Sequence, residues 1–338
     1  MSRPILTDRL GRPLRDLRIS ITDRCNFRCT YCMPREVFGP GYQFLRRDDL
    51  LTFEEITRLV GIFTSLGVGK IRITGGEPTL RRGLMDLLVA IRGKAPTTEL
   101  TLTTNGSRLA GLAHPLATAG LDRVSVSLDA LDEPTFQKMN DAFFPAIDVV
   151  QGIEAAVAAG FSPVKINAVI RRGINEHAIQ SLAERFSGPE HIVRFIEYMD
   201  VGNSNHWRMN DVVPAAEMAA RLESGGLSLS PLPPNYPGEV AKRYQTASGG
   251  EIGIISSVTQ PFCKDCHRAR LSSDGRLFTC LFASRGTDLR TPLRTGATNE
   301  EMMAIISSTW SRRDDRYSEI RSEATQHFPK VEMSQIGG

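Results

Sequence analysis

No stretch of the 338-residue chain runs to eighteen apolar residues, and the first twenty, MSRPILTDRLGRPLRDLRIS, hold no apolar core of a signal peptide. Neither a membrane-spanning helix nor a secretory leader is expected, and the chain reads as cytoplasmic. Net charge is also scarce. Lys plus Arg is 41 against 38 for Asp plus Glu, a formal +3. A protein held by DNA phosphates would show a concentrated basic surplus, so no nucleic-acid partner is expected. Aromatics are only 7%, yet 15 Phe, two Trp and a 41% apolar content exclude a disordered polymer. A chain of this size buries a sizeable core, as one large domain or one with a small companion.

Cysteine is the most telling scarcity. There are six: Cys25, Cys29 and Cys32, then Cys263, Cys266 and Cys280, with none in the long stretch between. Groups of three do not suit disulfides, which need pairs. They suit metal centres that keep one position open, in a compartment where thiols stay reduced. The plain alternative is six small buried hydrophobes, which the tight clustering disfavours.

From residue 17 to about 200, short β-rich runs alternate with helical patterns. Strands are expected over 17–21, 70–74, 99–104, 123–128, 164–170 and 191–197. Helices are expected over 53–66, 84–92, 108–119, 146–159 and 176–185, with Thr52 and Glu55 as a capping box. Such alternation means βα units and a parallel sheet, either an incomplete barrel or a doubly wound sheet. In both, chemistry collects at the C-terminal strand ends. The first cysteine group, Gly75-Gly76-Glu77-Pro78, Thr103 to Gly106, Ser127, Asp129, Asn167 and Glu197 to Met199 all fall there. Singly, Gly or Asn at a strand end is ordinary turn chemistry; jointly they point to a site. Beyond residue 200 the rhythm breaks. The proline-rich 230–238 reads as a linker or ordered loop. Strand-like pieces follow at 252–256 and 276–281, then a helix over 299–310 and an apolar end closing on Gly337-Gly338.

Cys25-x3-Cys29-x2-Cys32 sets three soft thiolates in one loop, which suits an iron–sulfur cluster. Structural zinc usually recruits a fourth ligand, and the first histidine of the chain is His114. A [4Fe–4S] cluster on three cysteines leaves one iron open to a small chelating molecule. In Gly75-Gly76-Glu77-Pro78, glycines let backbone approach a ligand, and the carboxylate is an acceptor for an ammonium. CNFRCTYC followed by GGEP resembles the signature of the radical S-adenosylmethionine superfamily. That resemblance implies a cluster on Cys25, Cys29 and Cys32. It also implies that Tyr31 lies against the adenine and that GGEP meets the methionyl amine. A reduced cluster would then cleave S-adenosylmethionine to a 5′-deoxyadenosyl radical, in a cavity the protein keeps dry.

Cys263-x2-Cys266-x13-Cys280 is again three thiolates. His267 follows directly, so zinc with a histidine ligand stands as an alternative, although adjacent residues share one tetrahedral site only with strain. A second [4Fe–4S] cluster, its open iron holding substrate, is the preferred reading. Arg268 and Arg270 share a face in an extended segment and suit phosphate oxygens; a solvated strand face is the bland alternative. Arg18, Arg72, Lys165 and Arg194 lie on four expected strands. A cation within a parallel strand is expensive unless it lines a wet or liganded cavity.

DLRISITDRCNFRCTYCMP, KIRITGGEP, VSVSLDALD, VKINAVI, RFIEYMDVGN, SSVTQPFCKDCHRARLSSDGRLFTCLF and the closing VEMSQIGG together resemble one family. It is the GTP 3′,8-cyclase family of molybdenum-cofactor biosynthesis, from about residue 8 to the end. Thr79 stands where Leu is more usual. The resemblance implies an incomplete (β/α)6 TIM-like barrel over residues 8–228. An extension over 229–338 would carry the second cluster and cover the open side. S-adenosylmethionine would contact Tyr31, Gly76, Glu77, Ser127 and Met199. GTP would contact Arg18, Arg72, Thr103, Lys165, Arg194, Arg268, Ala269 and Arg270. Catalytic roles would fall on Arg18, Arg268, Arg270 and the Gly337-Gly338 tail, which enters the cavity. The implied reaction starts with loss of the C3′ hydrogen of GTP and attack of C3′ on C8. It ends at (8S)-3′,8-cyclo-7,8-dihydroguanosine 5′-triphosphate. An external one-electron reductant, cyclic pyranopterin monophosphate synthase as acceptor of the product, and a homodimer are the implied partners. The rivals are a peptide-modifying radical enzyme, which commonly carries further cysteines, and a redox sensor or nucleic-acid module, which has no use for GGEP or strand-borne cations.

Overall fold

The computed structural model describes residues 5–321 and 328–337. Six strands pair in chain order and all in parallel: β1 (Asp16–Ser20), β2 (Lys70–Thr74), β3 (Glu99–Thr104), β4 (Arg123–Ser127), β5 (Val164–Ile170) and β6 (His191–Glu197). The helices expected between them form, as α1 (Phe53–Ser65), α2 (Leu84–Lys94), α3 (Leu109–Thr118), α5 (Ala146–Ala158) and α6 (Ala178–Arg185), with α4 (Glu133–Asn140) added before α5. In α1, Thr52 Oγ1 accepts from Glu55 N (3.2 Å) and Glu55 Oε2 accepts from Thr52 N (2.7 Å), a complete capping box. Its buried Ile56, Leu59, Val60 and Phe63 recur at helical spacing and face the sheet.

After α7 (Ala215–Ser224), the C-terminal part adds strands to both edges of this sheet. β9 (Glu251–Ile255) pairs in parallel with β6, and β10 (Arg268–Leu271) pairs in parallel with β1. Antiparallel β8 (Lys242–Thr246) and β7 (Leu229–Leu232) extend one edge; β11 (Arg276–Phe278) and β12 (Thr287–Asp288) extend the other. The order is β12-β11-β10-β1-β2-β3-β4-β5-β6-β9-β8-β7, an open sheet rather than a closed barrel. Sheet pairing is therefore continuous across residue 228. Helices α8 (Arg290–Arg294), α9 (Asn299–Ser311) and α10 (Tyr317–Ile320) follow, and a single turn over Met333–Ile336 precedes the tail.

One expectation is corrected. Residues 229–232, with Pro231, form the edge strand β7 rather than the start of a loop. An edge strand tolerates proline because one side of it needs no backbone donors. Among the described residues, no helix is long and apolar enough to cross a membrane.

The two faces of the sheet differ sharply. Along β5, Val164, Ile166, Ala168 and Ile170 are buried, while Lys165, Asn167 and Val169 are half-buried. The period of two sends one set under the helices and the other to the concave face. Residues of β1, β2, β5, β6 and β10 line one cavity, so the sheet curls although its edges do not meet.

Candidate active site

β1 ends at Ser20 and passes directly into the first cysteine loop. The turn after β2 packs against that loop: Gly76 N donates to Thr22 O (2.7 Å) and Glu77 N to Arg24 O (2.8 Å). A Cβ on Gly76 would run into the Arg24 carbonyl, so glycine serves close backbone approach here. Glu77 is buried and accepts from Thr79 N (3.1 Å), Thr79 Oγ1 (2.6 Å), Thr104 Oγ1 (2.7 Å) and Asn105 N (2.7 Å). Four protein donors thus meet the carboxylate expected to accept from an ammonium, three of them on Oε1, and the side chain braces β2 against the end of β3. Thr79 supplies two of those donors, one from a hydroxyl that the more usual leucine lacks.

Asn105 carries the brace onward to the thiols, with Nδ2 3.8 Å from Cys25 Sγ and 2.9 Å from Asn26 Oδ1. Phe27 N also donates to Cys25 Sγ (3.4 Å). Burial and the Glu77 charge push the Cys25 thiol up to about 11; burial and the neighbouring Cys25 thiol raise Cys29 and Cys32. A metal would have to displace these protons on binding. Tyr31 OH donates to Asp129 Oδ2 (2.9 Å), and Asp129 Oδ1 accepts from Val169 N (2.8 Å). Burial raises Asp129 to about 6 despite those two donors. Ser127 closes β4 level with Asn167, and the Met199 carbonyl accepts from Asn205 Nδ2 (3.1 Å).

The concave face below is cationic. Arg18 is level with Arg72 on one side and Arg270 on the other. Arg72 Nη1 donates to Thr103 Oγ1 (2.9 Å) and Ser125 Oγ (3.2 Å), and Arg194 Nε to Asn167 Oδ1 (2.9 Å). Neither the Arg18 nor the Lys165 side chain has a hydrogen bond or ion pair among the described residues. All four, with Lys70 and Arg268, line one cavity, whose lining also includes Tyr236 and the carboxylates Asp16, Glu239 and Glu251. Burial, together with Arg72 and Arg268, lowers Arg18 to about 9; burial and Arg194 lower Lys165 to about 7. Burial also brings Arg72 and Arg194 to about 10, with further cations adding to the shift at each. Six cations crowd here against three carboxylates, a net positive field that a polyanion would relieve. Lys70 was not among the expected contacts, although its position two residues before Arg72 puts it on the same face.

The second cysteine loop is built differently. Arg12, Asp8 and Arg313 form a buried ion network: Arg12 Nε to Asp8 Oδ2 (2.6 Å) and Arg313 Nη1 to the same oxygen (3.0 Å). Their remaining donors hold the loop. Arg12 Nη1 reaches Cys263 O (2.7 Å), Arg313 Nη1 reaches Cys266 O (2.7 Å), and Arg313 Nε reaches Thr279 O (3.0 Å). Phe282 N donates to Cys280 Sγ (3.5 Å) and Arg268 Nη2 to Cys266 Sγ (3.4 Å). Burial would raise Cys266, but Arg268 and Arg313 override it and bring the thiol down to about 6. Burial pushes Cys280 up to about 12. Ala269 sits between the two arginines with its side chain buried on the helix side of the strand.

Among the described residues no three His, Cys, Asp or Glu side chains converge on a single-ion site. The His267 ring lies by Asp16, Nδ1 to Oδ2 3.6 Å, a partner other than the cysteines. Thiol triads with N–H donors on their sulfurs fit a cluster, which spreads its ligands over separate irons.

The tail reaches this arginine pair. Arg270 donates through Nη1 to the Gly337 carbonyl and, at 3.5 Å, to that of Ile336. Gly337 has φ +73°, and a Cβ on it would run into Thr74 at the end of β2. Gly338 lies outside the described residues.

Known families match this arrangement. Residues 19–186 match the radical SAM superfamily, and residues 191–319 match the molybdenum cofactor synthesis C family. A curated GTP 3′,8-cyclase of Acidothermus cellulolyticus is 53% identical, with 100% of both chains covered. The chain belongs to the GTP 3′,8-cyclase family. A second member, from Staphylococcus saprophyticus, is 46% identical over 98% of this chain and 99% of its own. Among solved structures, Streptococcus suis SuiB bound to S-adenosylmethionine superposes with a TM-score of 0.51 at 20% identity. That match covers 63% of this chain and 46% of that one, and it shows a shared fold. Membership of the GTP 3′,8-cyclase family makes the chain a radical S-adenosylmethionine enzyme, with S-adenosylmethionine and a [4Fe–4S] cluster as cofactors.

Proposed function

We propose that this enzyme converts GTP to (8S)-3′,8-cyclo-7,8-dihydroguanosine 5′-triphosphate, the first step of molybdenum-cofactor biosynthesis. One observation carries the reading: Arg18, Arg72, Lys165 and Arg194, from four strands, crowd one cavity in which cations outnumber carboxylates. A triphosphate supplies the missing charge.

The first triad would hold the [4Fe–4S] cluster that, with S-adenosylmethionine, supplies hydrogen-abstracting radical chemistry at C3′ of the ribose. Tyr31, Gly76, Ser127 and Met199 line that side, and Glu77 braces it. Arg18 and Lys165 meet the triphosphate as free donors. Arg72 and Arg194 are pre-aimed, the first by Thr103 and Ser125, the second by Asn167. Cys263, Cys266 and Cys280 would hold a second [4Fe–4S] cluster against the guanine. Arg268, Arg270 and the backbone of Ala269 face the nucleotide, and Gly337-Gly338 closes on Arg270. In this reading residues 8–228 make the radical core and 229–338 the second-cluster region. An external one-electron reductant, cyclic pyranopterin monophosphate synthase as product acceptor, a homodimer and a cytoplasmic location belong to the same reading.

Anaerobic turnover of the reconstituted enzyme tests it. GTP should stimulate 5′-deoxyadenosine formation and be consumed in step with it. Cleavage of S-adenosylmethionine indifferent to GTP would overturn the assignment.

A further inference from the structure

The segment after β6, which carries Met199, also grips the chain just before its tail. Asp200 is buried, and its Oδ2 accepts from Lys330 Nζ (2.8 Å) and Tyr317 OH (2.5 Å), its Oδ1 from Arg321 Nε (2.8 Å). Lys330 Nζ also donates to the Asp200 carbonyl (2.9 Å), and only 5% of the lysine is exposed. The next residues interlock. Lys330 N donates to Asn203 Oδ1 (3.1 Å), and Asn203 Nδ2 donates back to the Lys330 carbonyl. Glu332 then accepts from Asn203 N (3.0 Å) and Ser204 Oγ (3.0 Å), in space left by Gly202, where a Cβ would meet that carboxylate.

Chain ends fray unless tied down. These ties are directional and polar, so they fix register as well as attachment. A desolvated ammonium is costly away from its carboxylate, and among the described residues Lys330 pairs with Asp200. A slip of one residue would bring Ile336 to the place beside Thr74, where even the Cβ of an alanine does not fit.

We infer that Asp200 and Lys330 are positioning residues that set the register in which the Gly337 carbonyl meets Arg270. They thereby hold Arg270 for the nucleotide, a part that rests on the function proposed above.

Hydrogen exchange and a double-mutant cycle on the holoenzyme test this. Lys330→Met should raise exchange at the Gly337 amide, which donates to Met333 O (2.8 Å), by about tenfold or more. It should raise the KM for GTP by about tenfold, while in a chain ending at Ile336 the same substitution adds less than about twofold. Lys330→Arg should recover most of the protection. If Lys330→Met does not fold, Glu332→Gln loosens the same register and should raise Gly337 exchange in the same direction. Unchanged exchange, or a full additive loss in the shortened chain, overturns the inference. A wild-type enzyme indifferent to GTP would overturn the proposed substrate instead, while the exchange measurement still decides the register.

Discussion

Burial and the Glu77 carboxylate push Cys25 up to about 11, whereas Arg268 and Arg313 outweigh burial at Cys266 and bring it down to about 6. Cys25 and Cys266 therefore sit in opposite fields, while burial raises Cys280 of the second triad as it does the first group. The first triad is framed by backbone contacts, by buried Glu77 and Asp129, and by one guanidinium, Arg28 on the Cys25 carbonyl (2.8 Å). The second is framed by guanidinium groups, Arg12 and Arg313 on its carbonyls and Arg268 on a sulfur. The sign of the surroundings matches the proposed ligands, a cationic sulfonium and ammonium at one end and a nucleotide triphosphate near the other. Spacing alone does not separate the two triads in this way.

The strongest way to break the comparison is to remove one triad at a time. Cys29→Ala should abolish 5′-deoxyadenosine formation, by about 10³-fold or more, with or without GTP. Cys266→Ala should leave slow cleavage of S-adenosylmethionine but erase its stimulation by GTP. Equal loss of both activities in the two variants would make the triads one functional unit.

Next comes the ion network. Asp8→Ala removes the carboxylate shared by two buried guanidinium groups, leaving Arg313 only Asp315 at 3.5 Å, and should cost about 3–5 kcal/mol of stability by chemical denaturation. Iron should be lost from the second triad before the first. Arg72→Met should weaken GTP binding by about 10- to 100-fold, the worth of one charge-assisted contact, with a shallower salt dependence. Cleavage of S-adenosylmethionine without GTP should be unaffected.

The smallest effect is on pH. Lys165 is lowered from 10.5 to about 7, so it loses its charge as the pH rises through neutrality. GTP affinity should therefore fall several-fold from about pH 6 to 8, and Lys165→Met should flatten that profile. The sign for stability is opposite. Between about 7 and 10.5 the unfolded chain holds a proton that the folded one lacks. The nucleotide-free protein thus gains stability with rising pH over that window.

Much of this was legible in the chain. Alternation located the six central strands, with β2, β3, β5 and β6 at their observed ends. Cations at every second position marked the concave face. What escaped has physical reasons. Pro231 looked like a loop because sequence does not say which strand lies at an edge. The bracing of β2 against β3 by Glu77 escaped because residue type does not reveal which donors a carboxylate meets. Asp200 and Lys330 are far apart in sequence and meet only through the fold, so nothing local announces them.

The central claim is that the chain takes a hydrogen from C3′ of GTP. GTP deuterated at C3′, turned over anaerobically by the reconstituted enzyme, tests it most directly. Deuterium in 5′-deoxyadenosine is the predicted result. Deuterium retained in the nucleotide product would contradict it.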